Sequence, residues 1–375
     1  MSPVSARRVA LVLASSTGGI GRHVASLVNG LVAAGVEVSV HGPAATDQQF
    51  GFGAAGATFH QLQIPAGPHL RDAVAVRRLA RQLNHRPPDV LHGHGLRAGL
   101  VAALARPHGL PLVVTWHNLL LAGGVRAKLL RGLERYVARS ADVTLAASAD
   151  LVARVRELGG RDVRLGAVAA PALPPPGRSA AEVRHELGLA DGQPLVLSVG
   201  RLHRQKGYDV LAAAAARWRS REPPPVVVIA GTGPSYMALA AQISQQRAPV
   251  TLLGHRTDIA DLLAAADLAV VSSRWEARQL FAQEAVRSGT PLVATAVGGL
   301  PELLDNAALL VEPGDVDTLD AAVQRLLDDP QLRARYARRG LAQAATWPTE
   351  ANTLAQVLEV YASVIGAAQR GGQPG

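Results

Sequence analysis

The sequence contains no cysteine in its 375 residues. It therefore forms no disulfide, binds no metal through thiolates and uses no cysteine nucleophile. Long apolar runs are missing as well: 48% of the residues are hydrophobic, yet no run approaches the ~18 residues that cross a bilayer. These absences exclude disulfide-stabilised and membrane-spanning classes, and we expect a cytoplasmic α/β protein.

Aromatic residues are scarce and charge is uneven. Residues 1–170 carry 19 Arg and Lys against 9 Asp and Glu, a net +10, whereas residues 171–375 carry 19 against 20, a net −1. An excess of this kind favours an anionic partner, and nucleic acid, anionic lipid headgroups or a phosphorylated acceptor would all supply one. We do not expect nucleic acid, because no aromatic residues interleave the basic ones to stack on bases.

The first residues contain an apolar stretch after Arg7-Arg8 that is superficially similar to a signal peptide. It is short and lacks a convincing cleavage site, so we interpret it as a first buried strand. The glycine-rich turn that follows, with Gly18 and Gly19, leads into a helical pattern and could bind an anion through free backbone N–H groups. Its spacing is not the dinucleotide fingerprint, which argues against NAD. A purely structural turn remains open.

Short apolar runs and helical patterns alternate along the chain. That alternation predicts parallel sheets with crossover helices. In the first half, the predicted strands are 9–14, 36–40, 57–63, 89–92, 112–115 and 142–146, with helices near 71–84, 97–105, 125–139 and 149–158. In the second half, the predicted strands are 195–199, 226–229, 250–253, 268–271, 292–294 and 308–311.

Prolines mark the clearest domain boundary, at 169–177. They forbid helix and stiffen the connection. We therefore predict an N-terminal α/β domain at 1–170, a linker at 171–178 and a C-terminal α/β domain at 179–346. A terminal helix at 347–367 and a disordered tail at 368–375 complete the prediction.

Two carboxylates lie between the apolar runs 268–271 and 292–294. Glu276 follows the first run and Glu284 comes eight residues later. One acid can therefore lie at the carboxyl end of a strand and the other on the helix that follows it. Ligands of open α/β sheets bind at that edge.

A basic loop follows the strand that ends at Gly200. It carries Arg201 and Lys206, and Lys206 is one of only two lysines among 38 basic residues. Two cations on a short loop can clamp a pyrophosphate and neutralise the charge that grows on a leaving diphosphate.

The stretch 272–302 reads Ser-Ser-x-x-Glu-x7-Glu-Ala-x-x-x-Gly-x-Pro-Leu-Val-Ala-Thr-x-Val-Gly-Gly-x-Pro-Glu. It resembles the C-terminal half of the retaining, nucleotide-sugar-dependent glycosyltransferases of family 4, the glycosyl transferases group 1 type. The basic loop matches their Gly-Arg-Leu-x-x-x-Lys-Gly. The resemblance implies the GT-B fold: two Rossmann-like domains face a cleft, and the C-terminal helix crosses back to the first. It also implies transfer of a hexosyl group from a UDP- or GDP-linked donor to an alcohol, such as a lipid or envelope precursor.

The resemblance assigns roles to single residues. Glu276 would bind hydroxyls of the donor sugar, Arg201 and Lys206 would hold the phosphates, and His117 would support the reacting sugar. Glu284 would bind the ribose. The departing phosphate would accept the proton of the nucleophile, and no cofactor or metal is expected. The remaining residues that the resemblance places at the donor are Gly18, Gly19, Gly200, Gly231, Gly233, His255, Arg256, Arg278, Gln279 and Leu280.

One departure from the family pattern lies directly after Glu276. Where the family has a small or glycine-rich segment, this chain has Ala277-Arg278-Gln279. The change could narrow the pocket or alter the donor. It also keeps two rivals open: a catalytically silent GT-B nucleotide-binding or scaffold protein, and a GT-B sugar epimerase or phosphorylase.

Two further motifs could hold metal, but we favour structural roles for both. His92-Gly93-His94 has the spacing of a chelating pair without a nearby acid, and we interpret it as a packing turn. Asp315-Val316-Asp317 lies at the start of a late helix, where acids serve as caps.

A basic helix near 126–139 follows the leucines at 119–121. Two interpretations remain open: an element that contacts the inner face of the cell membrane, and an ordinary solvated helix face.

Overall fold

The computed structural model describes residues 6–16, 18–65, 72–119 and 124–371. The chain divides into two compact units. Unit 1 comprises Met1–Pro171 together with Pro348–Gly375, and unit 2 comprises Ala172–Trp347. Each unit has its own parallel sheet and its own buried core.

Unit 1 is built on a sheet of seven strands in the order β3-β2-β1-β4-β5-β6-β7, in which every described pairing is parallel. The strands are β1 Arg8–Leu13, β2 Glu37–Gly42, β3 Thr58–Gln61, β4 Val90–His94, β5 Leu112–Trp116, β6 Val143–Ala146 and β7 Val163–Leu165. The helices between them are α1 Gly19–Ala33, α2 Ala44–Phe50, α3 Asp72–His85, α4 Leu96–Ala105, α5 Gly124–Ser140 and α6 Ala149–Glu157.

Unit 2 is built on a parallel sheet of six strands in the order β10-β9-β8-β11-β12-β13. The strands are β8 Leu195–Val199, β9 Val226–Ala230, β10 Val250–Gly254, β11 Leu268–Val271, β12 Leu292–Thr295 and β13 Leu309–Val311. The helices are α7 Ala180–Glu186, α8 Tyr208–Arg217, α9 Tyr236–Gln246, α10 Ile259–Ala265, α11 Leu280–Arg287, α12 Leu300–Leu304, α13 Val316–Asp328 and α14 Pro330–Ala344. Short 3-10 turns lie at Arg204–Lys206 and Trp218–Ser220.

Continuous apolar strands form these sheets because helices cover both faces. In β8, Leu195 and Leu197 belong to the core on one face of the sheet, and Val196 between them belongs to the core on the other face. A strand buried on both faces needs apolar residues at successive positions rather than at alternate ones. The sequence signal of an uninterrupted apolar run follows from this arrangement.

The last helix, α15 Glu350–Gly371, returns to unit 1. Val357, Val360 and Tyr361 are buried in the same core as strand β1 and helix α1. Gly30 of α1 allows close packing, since a Cβ there would lie 2.8 Å from the side chain of Leu354. Helix α15 is therefore part of the core of unit 1, although it follows unit 2 in the sequence.

The helix bounds differ from the prediction of a helix at 347–367 and a tail from 368. Trp347 belongs to unit 2, where its indole donates a hydrogen bond to the carbonyl of Leu303 at 3.0 Å. Pro348 follows it, and α15 begins at Glu350. Residues 368–371, predicted as tail, are helical, whereas 372–375 lie outside the described residues.

The predicted fold class is correct. The predicted first strand, 9–14, is β1, and each other predicted strand is present with ends shifted by at most two residues. Strand β7 was missed, because three residues with only Val163 buried give no apolar run. Among the described residues, no helix combines the length and the apolar character needed to span a membrane.

Candidate active site

In unit 2, the basic loop packs against the carboxyl end of β11. Gly207 has φ +62, and a Cβ there would lie 1.9 Å from the carbonyl oxygen of Ser272. Only glycine tolerates both the left-handed backbone and this approach. The Ser272 hydroxyl donates a hydrogen bond to the carbonyl of Lys206 at 3.0 Å. These contacts fix Lys206 beside the segment that follows β11.

Lys206 and Glu276 form an ion pair in this position. Lys206 Nζ lies 2.6 Å from Glu276 Oε1, and the Ser273 hydroxyl donates to the same oxygen at 2.7 Å. Glu276 is buried. The family resemblance assigned the two residues to different parts of a donor, and the structure brings them into direct contact.

The glycines of the Val-Gly-Gly segment hold the backbone of Glu276. Gly299 N donates to the Glu276 carbonyl at 2.9 Å. Gly298 has φ +52, and a Cβ there would lie 2.0 Å from that carbonyl oxygen. Glu276 is thus fixed through its main chain by the loop after β12 and through its side chain by the loop after β8.

The segment between β9 and α9, with Gly231 and Gly233, supports the basic loop. A Cβ on Gly231 would lie 1.9 Å from the carbonyl oxygen of Gly200, and one on Gly233 would lie 2.4 Å from that of Leu202. The two loops therefore touch through their backbones. Arg201, which lies between Gly200 and Leu202 in the sequence, has an exposed side chain.

Glu284 occupies the predicted helix. It lies in the second turn of α11 and is buried, whereas Glu276 lies in the segment between β11 and that helix. Leu280 is the first residue of α11. The expected arrangement, with one acid after the strand and the other on the next helix, is present.

The unusual Arg278 and Gln279 are largely buried beside Glu276. In the part of the chain that the structure describes, Arg278 Nε and Nη2 and Gln279 Oε1 have no hydrogen-bond partner. Burial lowers the pKa of Arg278. The departure from the family pattern therefore places a largely buried guanidinium and a buried amide just after Glu276.

Arg256 is held by acids. Its guanidinium donates to both oxygens of Asp258, at 2.8 and 2.6 Å, and to Glu186 at 2.9 Å. The hydrogen bond to Asp258 is the main cause of its raised pKa. Arg256 thus fixes the loop after β10 to helix α7, and its neighbour His255 is exposed.

In unit 1, the turn with Gly18 and Gly19 begins α1. Gly18 is the N-cap residue, and no acidic side chain lies in the first turn. Gly21 N donates to the Ser16 hydroxyl at 2.9 Å. One N–H group of this helix start is therefore already bonded, and the anion site at this turn stays a prediction.

Three histidines of unit 1 gather at the carboxyl edge of its sheet. His23 lies on α1, His94 ends β4, and His117 directly follows β5. The ring centroids of His117 lie 5.1 Å from those of His23 and 5.8 Å from those of His94. Burial lowers the pKa of His23 to about 4 and those of His94 and His117 well below the usual value, so all three are neutral. The sequence analysis considered His94 and His117 separately and did not indicate this cluster.

The two halves of the His92-Gly93-His94 motif have different surroundings. His92 is hydrogen-bonded to Tyr361 and to Thr115, each at 2.7 Å, and a Cβ on Gly93 would lie 2.9 Å from Gly99 Cα of helix α4. His92 and Gly93 therefore have the structural, packing role that the sequence analysis favoured. His94 belongs instead to the histidine cluster.

Asp315 caps a helix. Its carboxylate accepts hydrogen bonds from the backbone N–H groups of Asp317, at 2.9 Å, and of Thr318, at 3.1 Å, at the start of α13. The predicted role of Asp315 as a helix cap is confirmed.

The basic helix α5 presents Lys128, Arg131, Arg135 and Arg139 as exposed residues. Its one acid, Glu134, is buried and pairs with Arg154 of α6 at 2.6 Å. Residues 120–121 and the side chain of Arg126 lie outside the described residues.

Comparison with known proteins decides the family. Residues 18–171 match the family model described as glycosyl transferase 4-like domain, and residues 179–343 match glycosyl transferases group 1. A glycogen synthase of Mycobacterium tuberculosis is 32% identical over 379 residues, which cover 91% of this chain and 90% of the relative. The chain belongs to the group 1 glycosyltransferases.

A second relative and two solved structures are also similar to this chain. A D-inositol 3-phosphate glycosyltransferase of Geodermatophilus obscurus is 32% identical, with 79% of this chain and 72% of the relative covered. Anabaena HepE, solved with UDP-glucose, superposes with a TM-score of 0.80 at 21% identity over 95% of this chain and 99% of its own. Sucrose-phosphate synthase of Thermosynechococcus elongatus gives 0.78 at 22% identity over 96% and 100%. The predicted GT-B fold is thus confirmed, and the chain is a glycosyltransferase.

Proposed function

We propose that this glycosyltransferase moves a hexosyl group from a nucleotide-sugar to an alcohol with retention at the anomeric carbon. The observation that carries the proposal is the contact between Lys206 and Glu276 at the sheet edge of unit 2. It joins a cation suited to a diphosphate with a carboxylate suited to sugar hydroxyls. The UDP and UDP-glucose in the HepE structures support a nucleotide-sugar donor for this chain as well.

The phosphates would be bound by the basic loop. Lys206 has three N–H donors, of which one serves Glu276, so two remain for phosphate oxygens. Arg201, with its exposed guanidinium, would stabilise the charge that develops on the leaving diphosphate. Glu284 would accept hydrogen bonds from the ribose.

The sugar would be transferred by a balanced exchange at its anomeric carbon. The bond from that carbon to the diphosphate oxygen breaks, the bond to the acceptor oxygen forms on the same face, and the acceptor proton passes to the departing phosphate. Glu276 would hold sugar hydroxyls during this step. His117 would contribute a neutral hydrogen-bonding group, since burial lowers its pKa. A neutral imidazole adds no positive charge beside an anomeric carbon that becomes positively charged.

We further propose that the acceptor is anionic or borne by a lipid, and that α5 contacts the inner face of the membrane. The support is the net +10 of residues 1–170 and the exposed Lys128, Arg131 and Arg135. Each basic residue near an anionic surface contributes about 1 kcal/mol. Reversing Lys128 and Arg131 to Glu should therefore reduce co-sedimentation with anionic vesicles at low salt. Wild-type protein that ignores such vesicles would indicate a small dissolved acceptor instead.

The donor proposal is tested with a panel of UDP- and GDP-linked sugars. A donor at ~100 times its Kd should stabilise the protein by about 2.7 kcal/mol, which thermal melting detects. The stabilising donor should then be hydrolysed slowly to nucleoside diphosphate, and NMR of the transfer product should show the donor's anomeric configuration. Stabilisation without hydrolysis or transfer would support a catalytically silent nucleotide-binding protein.

A further inference from the structure

The histidine cluster of unit 1 brings three potential metal ligands together. One ring nitrogen from each of His23, His94 and His117 lies within 4.8 Å of the other two. The three residues come from α1, from β4 and from the end of β5, and all are buried. Because neighbouring elements of one sheet carry them, their approach is fixed by the fold.

Several nitrogens of the cluster lack protein partners. Three of these nitrogens, both of His94 and Nε2 of His117, are inaccessible to solvent and have no hydrogen-bond partner within the described ranges. Buried polar groups in native proteins are nearly always bonded to protein, water or an ion. A neutral imidazole offers a lone pair at neutral pH, as a metal requires.

We propose that His23, His94 and His117 form a binding site for a divalent transition-metal ion of the Zn²⁺ class, with a fourth position for water. Three imidazoles and one open position are a common coordination of zinc. Among the described residues, no carboxylate joins the cluster, which disfavours Ca²⁺ and Mg²⁺. A tetrahedral ion with zinc–nitrogen bonds of about 2.0–2.1 Å holds its ligand nitrogens less than 4.8 Å apart, so one ion can reach all three rings.

His92 provides a matched control. It is as buried as His94 and only two residues away, but Tyr361 and Thr115 occupy both of its ring nitrogens. The proposed site therefore excludes it. His41, buried on β2 and bonded to Gln82 and Ser39, is a second control farther along the sheet.

Metal binding would have a consequence for the proposed transfer. A bound ion occupies a nitrogen of His117, which the transfer needs for the sugar. The ion and the donor should therefore compete, and Zn²⁺ should inhibit hydrolysis of the donor in a manner that EDTA reverses. His94 has no role in the proposed donor contacts, so its substitution should relieve the inhibition.

The experiment uses full-length protein without a histidine tag, treated with EDTA and desalted. Co²⁺ is titrated and its visible absorption recorded, followed by displacement with Zn²⁺. Wild type, His92→Gln and His41→Gln should bind one equivalent, with bands typical of four-coordinate Co²⁺. His94→Gln should weaken binding by more than the roughly 10–100-fold that loss of a supporting group causes. His23→Gln replaces it if circular dichroism shows that His94→Gln is unfolded.

The outcomes separate this site from the proposed function. Equal Co²⁺ binding by wild type and a folded ligand variant, or no stoichiometric binding by wild type, overturns the metal site. If no nucleotide-sugar is hydrolysed or transferred, the proposed function is overturned, and the Co²⁺ titration still decides whether the metal site exists. Zn²⁺ that binds without inhibiting hydrolysis supports the metal site and refutes the sugar role of His117.

Discussion

Removing the charge of Lys206 should destabilise unit 2 and weaken nucleotide binding together. Lys206→Met keeps the apolar stem and leaves Glu276 without its 2.6 Å cation. Breaking a fully buried ion pair costs about 3–5 kcal/mol. Here the side chains are 18% and 8% exposed, and Ser273 still donates to the carboxylate. We therefore expect a loss of stability somewhat below that range, about 2–3 kcal/mol.

The expected loss of nucleotide affinity in Lys206→Met is calculated separately from the loss of stability. A hydrogen bond from a charged donor contributes roughly 1.5–3 kcal/mol, so the affinity for a nucleoside diphosphate should fall about 10- to 150-fold. Urea denaturation measures the stability and calorimetry measures the affinity. The matched control is Glu276→Gln, together with the double variant Lys206→Met/Glu276→Gln. The double variant should regain part of the stability, because it leaves no unpaired buried charge, but none of the affinity.

Two results would refute this reasoning. An unchanged stability in Lys206→Met would mean that the ion pair is not formed in solution. An unchanged affinity would mean that Lys206 does not meet the phosphates, whatever its contact with Glu276.

Three further predictions concern single residues. Arg201→Ala should lower kcat by ~100-fold while the nucleoside diphosphate affinity changes little, because its role is with the leaving-group charge; equal losses in turnover and affinity would contradict that. Gly207→Ala should destabilise by at least ~1–3 kcal/mol, since its Cβ would lie 1.9 Å from a carbonyl at φ +62. Gly132→Ala, inside helix α5 with nothing within 4 Å, should not lower the stability towards urea. Burial is the main cause that lowers the pKa of His41 to about 4, and His60 is stacked on its ring, so the unfolded protein binds a proton below about pH 6.5 that the folded protein does not. Wild type should therefore lose stability between about pH 6.5 and 4 more steeply than His41→Gln. Parallel pH profiles would show that His41 is solvated.

The fold was predictable because most of its strands are recognisable as apolar runs in the sequence. Strands buried on both faces give apolar runs, as Leu195–Val199 does, and runs of that kind fixed element type and order. The elements that were predicted wrongly lack such an apolar pattern. Strand β7 buries too little to form a run, and the last turn of α15 continues past the apolar pattern into exposed residues.

The candidate site was predictable only as far as its motifs reach. Glu276 and Glu284 were placed correctly relative to β11 and α11, since both positions follow from local sequence. The pairing of Lys206 with Glu276 depends on the contact of Gly207 with Ser272, 65 residues away, which no local pattern encodes. The histidine cluster depends on strand order: β4 lies between β1 and β5, so the ends of these three strands are adjacent.

Helix α15 makes unit 1 discontinuous in the sequence, and this has a consequence for how the protein is made. During synthesis, the first 171 residues emerge without the helix that completes their core, and unit 2 emerges whole before it. Unit 2 can therefore fold first, as an insertion within its neighbour. Until α15 is synthesised, the surface of unit 1 that packs against Val357 and Tyr361 is uncovered, and His92 lacks its hydrogen bond to Tyr361. A fragment that ends at the linker is consequently an incomplete domain, whereas residues 172–347 form a self-contained one.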